Sequence, residues 1–218
     1  MKILNLYAGI GGNRKLWGED HEIVAIEWNQ QIADIYKRFF PKDNIIVCDA
    51  HKYLLEHFNE FDFIWASPPC PTHSRVRKLF HTALPIYPNM ALYEEVLLLE
   101  GYANCKWVVE NVISWYEPLI KPCEIAKHYI WSNFYIAPYS IETREHFSSV
   151  EDLQKLKGFN LDNSGLTIGE KILALRNCVE PALGLYLFQQ AFKGFQSSLS
   201  LEIDGHQEPQ APLAELGK

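Results

Sequence analysis

Over its first two thirds the chain alternates short apolar runs with stretches in which apolar residues recur every three or four positions. Ile3-Leu4-Asn5-Leu6-Tyr7 reads as a strand ending in a glycine-rich turn, with a short helix after it. Glu22 to Ile26 is a second strand, ending at Glu27. Residues 29–40 hold Ile32, Ile35, Tyr36, Phe39 and Phe40 at helical spacing, and Pro41 stops that helix. Ile45 to Cys48 is a third strand, ending at Asp49, which also suits the N-cap of a helix over 50–58. Phe61 to Ala66 is a fourth strand, running into Ser67-Pro68-Pro69-Cys70. A helix over 91–104 and a fifth strand, Lys106 to Val109, follow, and that strand ends at Glu110-Asn111. Beyond 112 the pattern predicts one or two strands over 128–136 and helices over 150–157 and 181–193. This alternation predicts an α/β fold with a mostly parallel sheet and helices on both faces. Ligands of such sheets sit beyond the carboxyl ends of the strands. The glycines, Glu27, Asp49, Cys70 and Glu110, each at a strand end, are therefore expected to meet in one crevice.

With 218 residues, 48% hydrophobic and 22% charged, the chain has the makings of one domain, with or without a small appendage, and wholesale disorder is excluded. No apolar run reaches the roughly 18 to 20 residues of a membrane span. The opening MKILNLYAGIGG lacks the apolar stretch and cleavage site of a signal peptide, so a cytoplasmic protein is expected. The five cysteines are odd in number and form no C-x-x-C pair, which argues against a disulfide framework and a cysteine-rich zinc site. A net charge of -7 argues against nucleic-acid binding by the whole surface. It leaves room for a local basic face: residues 71–93 carry Arg75, Arg77 and Lys78 with His73 and His81, and no acid. From 196 onward the chain is polar and reads as a poorly ordered tail.

Glycines at Ala8-Gly9-Ile10-Gly11-Gly12 let a ligand approach the backbone. Gly9 and Gly11 fit a G-x-G-x-x-G fingerprint, but the third glycine is misplaced, so a nucleoside is indicated more clearly than a pyrophosphate. A tight turn without ligand remains the alternative. A carboxylate at Glu27 can accept both ribose hydroxyls and one at Asp49 an adenine amino group; a helix cap or a solvated acid is the alternative for each. In Ser67-Pro68-Pro69-Cys70 two proline rings fix the backbone and present one thiol, as a nucleophile at a set distance requires. A buried, inert cysteine is the alternative, and it is the reading given to Cys48, Cys105 and Cys178. Glu110 ends an apolar strand, where partial burial would raise its pKa and let it donate a proton.

These residues, in this order, resemble the DNA (cytosine-5) methyltransferase family. The likeness rests on Leu6-Tyr7-Ala8-Gly9-Ile10-Gly11-Gly12, Glu27-Trp28, Asp49, Asp62 with Ser67-Pro68-Pro69-Cys70, and Glu110-Asn111-Val112. It continues in Leu153 to Phe159, and in Leu175-Arg176-Asn177-Cys178-Val179-Glu180-Pro181, which in the family folds back against the donor pocket. The resemblance implies a Rossmann-like S-adenosylmethionine-dependent methyltransferase fold. It implies S-adenosylmethionine as donor, held by the turn from Tyr7 to Gly12 and by Glu27, Trp28, Asp49 and Asn177. It implies a flipped-out DNA cytosine as acceptor, with Cys70 adding to carbon 6 and Glu110 serving ring nitrogen 3. Pro69, Ser74, Arg75, Arg77 and Asn111 would contact that substrate. The family's base-contacting arginine motif is replaced by Ala126-Lys127-His128-Tyr129-Ile130, where Lys127 or His128 would stand in, with Arg144 as a further substitute. The chain then divides into a donor-binding core over 1–136, a residual target-recognition segment over 137–149, a returning segment over 150–193 and the tail over 194–218. So small a recognition segment implies a short or loose target site, or a second chain that supplies recognition. Bacterial or phage DNA modification, including restriction-modification, is the expected setting. An RNA cytosine-5 methyltransferase and a non-catalytic donor-binding subunit are the alternatives.

Overall fold

The computed structural model describes residues 1–75, 86–139 and 149–203, with side chains as far as 193. The strands are β1 (Lys2–Leu6), β2 (Glu22–Glu27), β3 (Asn44–Val47), β4 (Phe63–Ala66), β5 (Lys106–Val112), β6 (Cys123–Ile125) and β7 (His128–Ser132). The helices are α1 (Gln30–Phe39), α2 (Ala50–His57), α3 (Ala91–Tyr102), α4 (Val150–Lys157), α5 (Ile168–Asn177) and α6 (Pro181–Ile203). Among the described residues the strands form one sheet in the order β3-β2-β1-β4-β5-β7-β6. The first five pair in parallel, and β7 and β6 add antiparallel. The α/β reading of the sequence therefore holds. The winding reverses direction between β1 and β4, and the carboxyl ends of these neighbours flank the crevice where such folds take ligands.

Alternation along each strand divides the core. Leu4, Leu6, Ile64, Ala66, Trp107 and Val109 face one side, against Leu54 of α2 and Leu92, Tyr93, Val96 and Leu99 of α3. Ile3, Phe63, Trp65 and Val108 face the other, against Trp17 and against Leu183, Leu187 and Phe188 of α6. A third cluster joins Ile10 of the glycine turn to Ile35, Leu153, Phe159, Leu161 and Leu175. The α4–α5 region is thereby fastened to the turn. Under the turn Arg14 and Asp43 form a buried two-pronged pair, Nε to Oδ2 at 2.9 Å and Nη2 to Oδ1 at 3.1 Å, and the Tyr36 hydroxyl donates to the same carboxylate at 2.7 Å. A buried charge pair so fully bonded fixes geometry more than it adds stability.

Several boundaries differ from the sequence expectation. Tyr7 has a φ of 56°, so β1 ends one residue early. β5 continues through Glu110 to Val112, so the acid lies within the strand. The segment 128–136 is strand only to Ser132, and its partner β6 precedes it across a two-residue turn. Ala126 and Lys127, with φ of 51° and 69°, make that turn. α5 was not expected. Thr167 starts it with a capping box to Glu170. α6 runs to Ile203, past the expected end at 193, because no proline interrupts the chain there and Phe195, Leu199 and Ile203 keep helical spacing. Residues 194–203 are thus helix where a tail was expected, and 204–218 lie outside the described residues. Among the described residues no helix is long and apolar enough to cross a membrane.

Candidate functional site

The glycine turn takes its shape from Glu27. The Gly9 N–H donates to Glu27 Oε2 at 3.0 Å, and the Asn29 N–H to Oε1 at 2.9 Å. The carboxylate is buried, yet each oxygen keeps lone-pair capacity for a second donor. The glycines differ in role. Gly9, at φ 54°, has open space where a Cβ would stand, and so it is the position that leaves room for a ligand. A Cβ on Gly11 would strike the Phe40 ring, and one on Gly12 would strike the Val179 carbonyl oxygen and Cys178 Sγ. The absence of a side chain at Gly12 thus admits the chain's own returning segment. Ala8 and Ile10 are also buried, with the Ile10 side chain in the third core cluster. Trp28, beside Glu27, is 73% exposed. Asp49 is exposed and caps α2, accepting from Lys52 N–H at 3.0 Å. Asn177 is exposed at the end of α5, next to the Cys178-Val179 pair that packs on Gly12.

Behind the turn stands a carboxylate that sequence reading missed. Glu95 of α3 is fully buried; it accepts from the Tyr7 hydroxyl and lies 3.0 Å from His51 Nδ1. Burial, then the Glu95 charge, holds the Tyr7 hydroxyl far above its usual pKa. The hydrogen bond to Glu95 raises that of His51 against the effect of burial. The available signal was that Glu95, unlike its neighbour Glu94, falls at helical spacing with Leu92 and Leu99 on the apolar face of α3.

The Pro-Pro-Cys loop is held from several sides. Trp65 Nε1 donates to Ser67 Oγ at 2.8 Å. Asn111 Nδ2 donates to the Pro68 carbonyl at 2.9 Å, while its Oδ1 accepts from Val112 N–H at 2.9 Å. Asn111 is buried and both ends of its amide are engaged, so it positions the loop. The Cys70 carbonyl accepts from His73 and Ser74 N–H, each at 3.0 Å. Arg75 N–H donates to Ile113, Trp115 N–H to His73, and Ser74 bridges to Ser114, so the segment after Cys70 is sewn to the exit of β5. Pro69 and Arg75 are exposed. His73 is not part of a basic surface: it is buried, its Nδ1 lies 2.6 Å from the Tyr116 hydroxyl, and burial lowers its pKa. Arg77, Lys78, His81 and Arg144 lie outside the described residues, as do residues 140–148 of the expected recognition segment.

Cys70 is half-buried, and burial followed by the charge of Glu110 pushes its thiol above the usual value. Glu110 has gained a partner rather than bare burial: His128 Nδ1 lies 2.6 Å from its Oε1. Burial opposes the charge on His128, but the hydrogen bond and attraction to Glu110 outweigh it and raise its pKa. Of the two stand-ins expected for the base-contacting arginine, Lys127 is exposed at the hairpin turn and His128 faces the site. Cys178, by contrast, is buried with its thiol pushed up to about 12. Among the described residues no group of three or more His, Cys, Asp or Glu could hold a metal ion.

Comparison with known proteins agrees with this arrangement. The fold is similar to that of a methyltransferase from Entamoeba histolytica, with a TM-score of 0.53 over 89% of this chain and 98% of that one at 11% identity. In sequence the chain is 29% identical to the tRNA (cytosine(38)-C(5))-methyltransferase of Spodoptera frugiperda over 151 residues, which are 64% of this chain and 45% of the relative. It is 32% identical to the mouse protein of the same name over 117 residues, 46% of this chain and 28% of the relative. The chain thus spans less than half the length of these curated relatives. The model of the C-5 cytosine-specific DNA methylases matches residues 1–85, from the glycine turn through the Pro-Pro-Cys loop. Over that stretch the chain is similar to the C-5 cytosine-specific DNA methylase family.

Proposed function

We propose that the chain transfers a methyl group from S-adenosylmethionine to carbon 5 of a cytosine in DNA. The observation that carries this reading is the clamp of Asn111 on Pro68, which joins the loop of Cys70 to the strand of Glu110 beside a turn held by Glu27. The donor fits the residues present. The space at Gly9 admits it, free lone pairs on Glu27 suit ribose hydroxyls, and the exposed indole of Trp28 offers a face to the adenine. Asp49, exposed at the start of α2, would accept the donor's amino group. Bound there, the donor supplies an electrophilic methyl carbon on a sulfonium. The remaining work falls to the chain. Cys70 adds to carbon 6, which makes carbon 5 nucleophilic, and Glu110 delivers a proton to nitrogen 3. The cytosine has to leave the base stack, at a cost of a few kcal/mol that the pocket offsets. Arg75, exposed next to the Cys70 loop, is suited to a phosphate, and an acidic body predicts strongly salt-dependent binding.

Transfer RNA is the second reading, favoured by the substrate in the names of the Spodoptera and mouse relatives. The test incubates the protein with S-adenosylmethionine and either unmethylated plasmid or transfer RNA, then measures 5-methylcytosine in the nucleosides by mass spectrometry. Methylation of the plasmid is expected. Methylation of transfer RNA alone would move the function to RNA, and methylation of neither would overturn it. Donor binding is tested separately by calorimetry. Glu27→Ala removes an acceptor for the ribose and the brace of Gly9, and it is expected to weaken donor affinity by about ten- to a hundredfold. Unchanged affinity would exclude Glu27 from the donor site.

A further inference from the structure

Glu95 of α3 is fully buried, and it ties together two elements to which the donor reading assigns contacts. One is the turn opened by Tyr7, the other the first turn of α2, headed by Asp49. A single Glu95 oxygen takes both bonds: the Tyr7 hydroxyl donates to it, and His51 Nδ1 lies 3.0 Å from it. The second oxygen is buried and has no partner among the described residues. The shared oxygen is therefore where α3 holds both elements. Tyr7 sits at φ 56°, a left-handed backbone that a bulky residue takes only where its surroundings fix it. The bond from its hydroxyl to a core carboxyl supplies that fixation just before Gly9. His51 stands two residues after Asp49, and its other nitrogen, Nε2, lies 3.3 Å from Glu94 Oε2. Both ring nitrogens thus face carboxyl oxygens, and only an imidazolium donates from both. The groups acting on the ring are Glu95 and Glu94 of α3 and Asp49 at the cap of its own helix, all of them acids. The hydrogen bond to Glu95, joined by these charges, raises the pKa of His51 against the effect of burial. Tyr7 reaches the ring through the shared Glu95 oxygen.

We propose that Tyr7, Glu95 and His51 form a proton-sensitive brace of the donor site, closed while His51 is an imidazolium and loosened when the ring becomes neutral. The inference rests on the donor-binding part of the methyl-transfer reading and concerns the regulation of that site by pH. Glu95 and His51 are positioning residues, acting on the donor through Tyr7 and Asp49. When the ring loses its proton it keeps a donor for at most one of the two carboxyls, and that bond is no longer charge-assisted. The proton goes to solvent, which the 23% exposure of the His51 side chain permits. The head of α2, with Asp49, is then held less firmly against α3. The sign follows from the raised pKa of His51: the bonds are made below it and lost as pH rises through it, so donor affinity falls towards alkaline pH. The Cys70 thiolate fraction runs the other way and grows with pH. Donor binding and the chemical step therefore carry opposite pH dependences.

The test measures binding of 5′-methylthioadenosine by calorimetry from pH 6 to pH 9. This probe keeps the adenosine and carries no group that titrates in that range. Wild-type affinity is expected to fall about threefold or more across it. H51N offers Glu95 an amide donor that does not titrate, so its affinity should stay flat, near the weaker alkaline level of the wild type. E95Q keeps an acceptor of the same shape for Tyr7 but withdraws the carboxylate from the ring, and it should flatten the profile too. A ring with a merely structural role would leave the wild-type profile flat as well. Nuclear magnetic resonance of the His51 ring gives a second reading without ligand: its titration midpoint should lie above the ordinary value of about 6.5 and drop in E95Q. Circular dichroism at each pH checks that the variants are folded, and H51N, altered at a partly exposed ring, carries the test if E95Q does not fold. A wild-type affinity independent of pH, an H51N profile as steep as that of the wild type, or an ordinary His51 midpoint would overturn the inference while leaving the donor reading in place. If the wild type binds the probe at no pH, the donor reading itself fails, and the inference fails with it.

Discussion

Cys70→Ala is expected to lower methyl transfer by about four orders of magnitude while fold and donor binding persist, because losing the nucleophile removes the covalent route outright. The loop does not depend on the sulfur for its shape. It is held by Asn111 on the Pro68 carbonyl, by Trp65 on Ser67, and by the Cys70 carbonyl, all of which survive the substitution. Other thiols are poorly placed to replace it. Burial holds Cys178 at about 12 and Cys105 at about 11, and it also raises Cys48. The native protein should also show a pH dependence of definite sign. The thiol of Cys70 lies above its usual value, so its thiolate fraction grows with pH throughout the neutral range and past pH 9. Single-turnover rates limited by thiol addition are therefore expected to climb across that range. Quantifying 5-methylcytosine against time for the native and variant proteins, with donor binding by calorimetry, checks both points. A variant that methylates at a tenth of the native rate or better would remove Cys70 from the chemistry.

The parts of this fold that were legible in the sequence are those whose environment is uniform along an element. β1, β2, β4 and β5 lie in the parallel part of the sheet, covered on both faces, and such strands read as continuous apolar runs. Their loaded ends followed from topology, and Glu27 does reach Gly9. What escaped was decided by contacts between distant segments. β6 is three residues long with only Ile125 facing inward, too short to show a period. Its turn uses Ala126 and Lys127 in a conformation that usually asks for glycine or asparagine. His73 and Glu95 were misread or unseen because a charge count cannot tell a solvated group from one bonded inside the core. The pairing of His128 with Glu110 was hidden for a similar reason. Each was singled out alone, and only the antiparallel register, which sets Val112 opposite His128, brings the two side chains together. Gly12 was read through its neighbours Gly9 and Gly11, although the space it leaves is filled from the far end of the chain.

That filling makes Gly12→Ala a substitution with a large expected effect on stability. Gly12 has a φ of -59°, so alanine suits its backbone and any cost must come from contacts. The added methyl would collide with the Val179 carbonyl oxygen and Cys178 Sγ and approach the Val179 nitrogen to 3.0 Å. Two of these atoms are backbone, which cannot swing aside as a flexible side chain can. The Cys178-Val179 pair is anchored on both sides: Leu175 and Cys178 are buried with Ile10, and Val179 packs with Leu183 and Trp17. Overpacking at such a point is expected to cost about 3 kcal/mol. Gly9→Ala is the fitting control. Its φ of 54° penalises alanine by about 1 to 2 kcal/mol, but its methyl would meet open space. Denaturant unfolding should therefore rank Gly12→Ala below Gly9→Ala and both below the native protein. Donor affinity should divide them differently. Gly9→Ala places its methyl in the space where the donor is proposed to sit, whereas Gly12→Ala disturbs the turn only through the segment behind it. If Gly12→Ala were as stable as the native chain, the returning segment could not be the support of the glycine turn, and the close approach of Val179 would carry no weight in the fold.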